Sequence, residues 1–191
     1  QSADILKYFE SFKDSTVLLV GEAIIDIYHY GEAIGKSGKE PILVTKYHRE
    51  EMYIGGILAI ANHLSDFCAS VTCVTMLGEK GHYESFIKEK LKPNVNIIFH
   101  YKKESPTIVK RRYIEEYSSQ KLFEIYEMDD CYFNDEQRKA FIDCIDDEIE
   151  KHDMVVVADY GHGLLDASSI DEIEDKAKFL AVNTQANASN H

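Results

Sequence analysis

Apolar residues recur along this chain in two rhythms. Unbroken β-prone runs lie at 16–20, 69–76 and 154–158, with shorter ones at 95–100 and 179–182. Runs of this kind predict strands buried on both faces, as in a parallel sheet. Between them, apolar positions return at helical spacing: Ile5, Leu6, Phe9 and Phe12; Ile57, Leu58, Ala61, Leu64 and Phe67; Tyr83, Phe86, Ile87 and Leu91; Phe141, Cys144, Ile145 and Ile149. The spacing predicts helices over about 4–13, 56–67, 82–91 and 135–152, with a further one near 168–177. Asn134 followed by Gln137 reads as a capping box opening the fourth of these. The order strand, excursion, helix, strand predicts a βαβ unit with a parallel pair.

Two segments break the rhythm. Residues 31–40 hold three glycines and little apolar content, which reads as a loop. A short strand at 41–48 follows, and 49–54 lead into Gly55-Gly56. From Thr107 onward, 107–114 and 121–126 flank Tyr117-Ser118-Ser119-Gln120, which predicts two strands joined by a polar turn.

Composition narrows the class. The 191 residues, 45% hydrophobic and 29% charged, suffice for one sizeable core with room for an appended subdomain. No apolar run approaches the roughly 20 residues of a membrane span. A net charge of −13 argues against a nucleic-acid surface, and much of the acid between Asp129 and Asp153 reads as a solvated helix face. The start, Gln1-Ser2-Ala3-Asp4, has neither an initiator Met nor a signal-peptide pattern, so a trimmed chain is expected. Cys68, Cys73, Cys131 and Cys144 form no CxxC pair and have no His at zinc-ligand spacing. They are expected to be reduced, mostly buried thiols, which points to a cytoplasmic setting.

Candidate chemistry gathers where strands end. Gly55-Gly56 precedes a helix, and glycine there admits positive φ or close approach to the main chain; a plain packing turn is the other reading. Asn62 is a polar residue inside that helix. Glu22 and Asp26 follow the 16–20 strand, and Asp159 follows the 154–158 strand. Ligands of open α/β sheets bind beyond the carboxyl ends of strands, and a carboxylate accepts hydrogen bonds from polyol hydroxyls. Asp26 is equally suited to a turn or cap. Lys110-Arg111-Arg112 suits an anionic group, or a solvated strand face with one of the three functional.

Together, Val20-Gly21-Glu22…Asp26, Gly55-Gly56, Pro106-Thr107…Lys110 and Val157-Ala158-Asp159-Tyr160-Gly161-His162-Gly163 resemble the PfkB/ribokinase family of carbohydrate kinases. Their order is most similar to the heptose-phosphate kinase branch. The resemblance runs from about residue 15 to the end. It implies a ribokinase-like three-layer α/β/α sandwich with a small β-sheet lid, here one domain over 1–191 that is incomplete at its C-terminus. Lid strands are implied within about 31–54 and 106–128. It also implies sugar contacts at Asp26, Gly55, Gly56 and Asp159, a polar role for Asn62, and a substrate oxygen or phosphate near Lys110. ATP and Mg2+ are implied for the parent enzyme. So are a sugar or sugar-phosphate substrate, a homodimer through the lid and a possible fused nucleotidyltransferase domain.

The sequence departs from the family pattern in places. Ala59 stands where Asn is common, and His162 where Lys is often seen, which puts a phosphorylated heptose in doubt. The Gly-Ala-Gly-Asp segment that supplies the anion hole and catalytic base is absent, as are Asn-x-x-Glu and a Walker loop. No catalytic residue is therefore expected in this chain; the base is expected beyond His191, and the 191 residues alone are not expected to phosphorylate sugar. The leading expectation is the sugar-binding portion of an ATP-dependent carbohydrate kinase. The alternatives are a non-catalytic sugar-binding or dimerisation module and a nucleoside kinase of the same superfamily.

Overall fold

The computed structural model describes residue 7, residues 9–81 and residues 83–185. Ile5 and Leu6 of the predicted first helix, and His82 at the start of the predicted third, lie outside the described residues; 9–12 are helical.

Five parallel strands form the main sheet: β1 (Thr16–Gly21), β4 (Ser70–Lys80), β5 (Val95–Pro106), β8 (Met154–Asp159) and β9 (Leu180–Thr184), in the order β5-β4-β1-β8-β9. Alternation along β1 divides the core. Val17 and Leu19 pack with α1 (Ile57–Leu64) and α2 (Glu84–Lys90) on one face. Leu18 and Val20 pack on the other face with α3 (Asp135–Ile149) and α4 (Ala167–Lys176). A strand covered on both sides must be apolar throughout, which is why its sequence is an unbroken run. The expected three layers are present, and β1 and β4 pair in parallel with α1 between them in the chain.

Asn134 opens α3 as the capping box predicts: its Oδ1 accepts from Gln137 N–H at 2.9 Å while Gln137 Oε1 accepts from Asn134 N–H at 3.2 Å. On α1, Ile57, Leu58 and Ala61 are buried, whereas Phe67 lies past the helix end and stacks on Phe9 at 5.1 Å.

The second sheet has four strands: β2 (Ala23–Lys36), β3 (Leu43–Gly56), β6 (Val109–Glu115) and β7 (Gln120–Glu127), in the order β3-β2-β6-β7. Here the structure corrects the loop expected at 31–40. Residues 31–36 continue β2, paired with β3 across the register Gly31↔Tyr47 to Lys36↔Leu43. The second sheet therefore starts at Ala23, and β3 runs unbroken into the glycine pair. Antiparallel pairing with β3, the next strand in the chain, overrides the weak local signal of Gly31, Glu32 and Gly35. The cysteines also need correction. They are free, but Cys73 alone is buried, Cys68 and Cys144 are partly covered, and Cys131 is exposed. Burial pushes the Cys73 thiol up and keeps it protonated. No helix among the described residues is long and apolar enough to cross a membrane.

Candidate functional site

Asp26 is not in a turn. It lies within β2, where alternation points Ile25 and Ile27 into the core and Asp26 and Tyr28 to the opposite face. Register brings Lys110 beside Asp26 and Arg112 beside Tyr28 on β6, with Tyr126 and Glu124 next on β7. Arg112 Nη1 pairs with Asp26 Oδ1, and Arg112 Nε lies 3.3 Å from Glu124 Oε1. The Arg112 guanidinium also sits over the Tyr28 ring at 5.3 Å. Burial by itself would lower the Arg112 pKa, but its bond to Asp26 and the neighbouring acids outweigh that, and the net direction is up. Lys110 Nζ lies 5.2 Å over the Tyr126 ring. Burial lowers the Lys110 pKa against the pull of Asp26, with Arg112 adding to the lowering. Two residues of the basic triplet thus share the face of Asp26. Arg111 points the other way and pairs with Glu127.

The glycine pair supports this carboxylate. A Cβ on Gly55 would fall far inside van der Waals contact of Asp26 Oδ2 and 3.1 Å from its Cγ. Only a residue without a side chain leaves room for the carboxylate to lie across β3 there. Gly56 has φ 57° and ψ −135°, a combination that glycine alone adopts readily, and its Cβ would strike the Glu22 carbonyl. That carbonyl accepts the first N–H of α1, from Ile57, at 3.0 Å. The pair turns β3 into α1 and seats Asp26.

Asp159 ends β8, and its Oδ1 accepts from Gly161 N–H at 2.8 Å in a tight local turn. The adjoining Tyr160 packs against the core; burial, then the charges of Glu22 and Asp26, raises its hydroxyl pKa. His162 is buried, with Nδ1 2.9 Å from Asp130 Oδ1. The 129–131 segment is held from below by buried Lys102, which donates to the Asp129 and Cys131 carbonyls. The Asp129 carboxylate accepts from Ser105 Oγ at 2.7 Å and from Cys131 N–H at 2.9 Å; these bonds, with Lys102 nearby, hold it well below the usual carboxylate range.

A depressed folded pKa gives stability that is present above the unfolded value and lost as pH falls through the folded one. Asp129→Asn is therefore expected to cost about 1 kcal/mol near neutral pH, after allowance for solvent screening. Thermal melts against pH would check this: the gap to wild type should begin to narrow below about pH 4 and vanish only as pH falls through the depressed folded value.

Asn62 does not join the others. Its side chain donates to the Lys90 carbonyl at 2.9 Å and accepts from Lys92 N–H at 3.0 Å, closing the turn between α2 and β5. Asn62→Ala is expected to lower stability by about 1–2 kcal/mol in a denaturant titration and to leave ligand affinity unchanged. The structure thus brings Asp26, Gly55, Gly56 and Lys110 together, while Asp159 stands at the end of β8 in the main sheet. Arg112 and Asp130 escape a reading by residue type, because their roles rest on strand register and on a fold-back of the chain.

No protein-family model matches the sequence. The bifunctional protein HldE of Haemophilus influenzae (strain PittEE) is 26% identical over 174 residues, covering 90% of this chain and 35% of that protein. HldE of Helicobacter pylori (strain Shi470) is 28% identical over 151 residues, covering 78% and 32%. The chain thus spans about a third of the length of these relatives. Among solved structures, a possible 1-phosphofructokinase from Thermotoga maritima aligns with a TM-score of 0.66 at 16% identity, covering 89% of this chain and 54% of that one. Phosphofructokinase-2 from Escherichia coli, in complex with fructose-6-phosphate, aligns with a TM-score of 0.64 at 14% identity, covering 92% and 56%. The likeness is one of fold, a ribokinase-like sandwich. In sequence the chain is thus similar to part of the bifunctional HldE proteins, and in fold to solved phosphofructokinase and sugar-kinase structures.

Proposed function

We propose that this chain forms the sugar-binding portion of an ATP-dependent kinase that phosphorylates a hydroxyl of a sugar or sugar phosphate. The observation that carries the reading is the Asp26 carboxylate, laid across Gly55, paired with Arg112 and still about one-fifth exposed. An acceptor held at a fixed angle suits sugar hydroxyls, and fixing the acceptor is what phosphoryl transfer most needs from a binding half. Lys110 and Arg112 on the same face would complement a phosphate already on the sugar. Asp159 and Tyr160 form the opposing wall.

In this reading ATP is the phosphoryl donor and Mg2+ accompanies it. Among the described residues, no three His, Cys, Asp or Glu side chains converge to hold a metal ion. The part of the residues gathered around Asp26 is to bind and orient the acceptor. A nucleotidyltransferase domain in the same polypeptide is consistent with the bifunctional relatives. A cytoplasmic location suits the free thiols.

The far face of the lid carries a stack of His29, Tyr113 and Phe123, with ring centroids 4.6 and 4.4 Å apart, beside exposed Leu43 and Tyr47. That face supports a homodimer through the lid.

A thermal-shift screen of free sugars, sugar phosphates and nucleosides tests the function. Stabilisation by a sugar or sugar phosphate is expected. Stabilisation by nucleosides alone would reject it.

A further inference from the structure

Glu22 follows β1, where an acid could be read as a ligand contact, yet its side chain is fully buried. Its two carboxylate oxygens accept backbone N–H groups from the loop after β8: Oε2 from Tyr160 at 2.9 Å and Oε1 from His162 at 3.1 Å. Its backbone carbonyl accepts the Ile57 N–H at 3.0 Å and lies where any side chain at Gly56 would collide with it. One residue therefore ties together the start of β2, the glycine turn and the 159–163 loop.

A packing position does not call for a carboxylate, because removing that group from water is costly. Burial raises the Glu22 pKa and the Asp159 charge adds to this, while the Tyr160 and His162 N–H groups act against it. The burial is thus repaid through the loop, and the loop leads back to the lid. His162 bonds Asp130, whose charge reaches Lys110, and Tyr160 lies within the field of Asp26.

We infer that Glu22 is a positioning residue that sets the spacing between the two walls of the sugar cleft, Asp26 on the lid and Asp159–Tyr160 on the loop. This rests on the sugar-binding reading above. Glu22 touches no sugar itself; it acts through the loop and the glycine turn.

The test uses Glu22→Gln in the full-length polypeptide, with two readouts. The amide keeps the volume but replaces one acceptor oxygen by a donor. Hydrogen exchange at Tyr160 or His162 should then rise at least tenfold, while Ile57, bonded to the unchanged backbone carbonyl, keeps its protection. The sugar KM should rise about tenfold with kcat within about threefold, measured well below the melting range. A merely structural role would raise exchange at all three amides together and leave KM alone. Unchanged protection at Tyr160 and His162 would overturn the inference, as would an unchanged KM once protection is lost. Lost protection in a protein that binds no sugar even as wild type would instead reject the sugar reading and leave the clamp standing. Should Glu22→Gln fail to fold, wild type still decides. Saturating sugar should raise protection at Tyr160, His162 and Ile57 together, and a rise confined to Ile57 would contradict the coupling.

Discussion

Alanine at Gly56 is expected to lower the melting midpoint by roughly 6–12 °C and to weaken sugar binding as well. Two costs combine. The backbone sits at φ 57° and ψ −135°, where a side chain costs about 1–3 kcal/mol. The added Cβ also meets the Glu22 carbonyl, the acceptor for the first N–H of α1. Relief requires moving either β3 or the β1–β2 junction, both of which carry core residues. A total of about 3 kcal/mol is a large share of the 5–15 kcal/mol typical of a domain, and at this size it converts to the shift given. Differential scanning calorimetry reads it directly. A midpoint within about 2 °C of wild type would mean that the turn tolerates a side chain and that its geometry is not what seats α1.

The second large effect falls on the ligand and spares the fold. Asp26→Asn removes the charge but keeps the shape, and Arg112 retains Glu124 at 3.3 Å. The variant should therefore stay folded. Its sugar affinity should drop about 30-fold, the worth of about 2 kcal/mol for hydrogen bonds to a charged acceptor. Gly55→Ala should approach the same loss by another route, since its Cβ would push the Asp26 carboxylate aside without any change at Asp26. Agreement between the two variants would locate the effect at the carboxylate. Weak binding in Asp26→Asn with normal binding in Gly55→Ala would place the carboxylate elsewhere when sugar is bound.

The sequence carries the main sheet plainly and the lid poorly, for a physical reason. β1, β4 and β8 are covered on both faces, so Val17–Val20 and their neighbours must be apolar and announce themselves. Strands of the second sheet have one solvated face, and Gly31, Glu32, Gly35 and Lys36 give the second half of β2 the pattern of a loop. Its continuation depends on pairing with β3, which local composition does not encode. The site is legible to the same degree. Asp26, Gly55 and Gly56 stand out through family resemblance, and the structure gives them a shared geometry. Arg112 and Lys110 separate from Arg111 only once the register with β2 is known. Asn62 looked like a site residue because it is polar in an apolar helix, but the turn after α2 uses it. Glu22 looked like a ligand contact, yet burial assigns it to the backbone of the 159–163 loop.

The central claim is that Asp26 holds the sugar. Isothermal titration of the full-length polypeptide with the sugar or sugar phosphate selected by thermal shift tests it most directly, comparing wild type with Asp26→Asn at matched stability. The account predicts saturable binding by wild type and a Kd about 30-fold weaker in the variant. Equal affinities in the two proteins would contradict it.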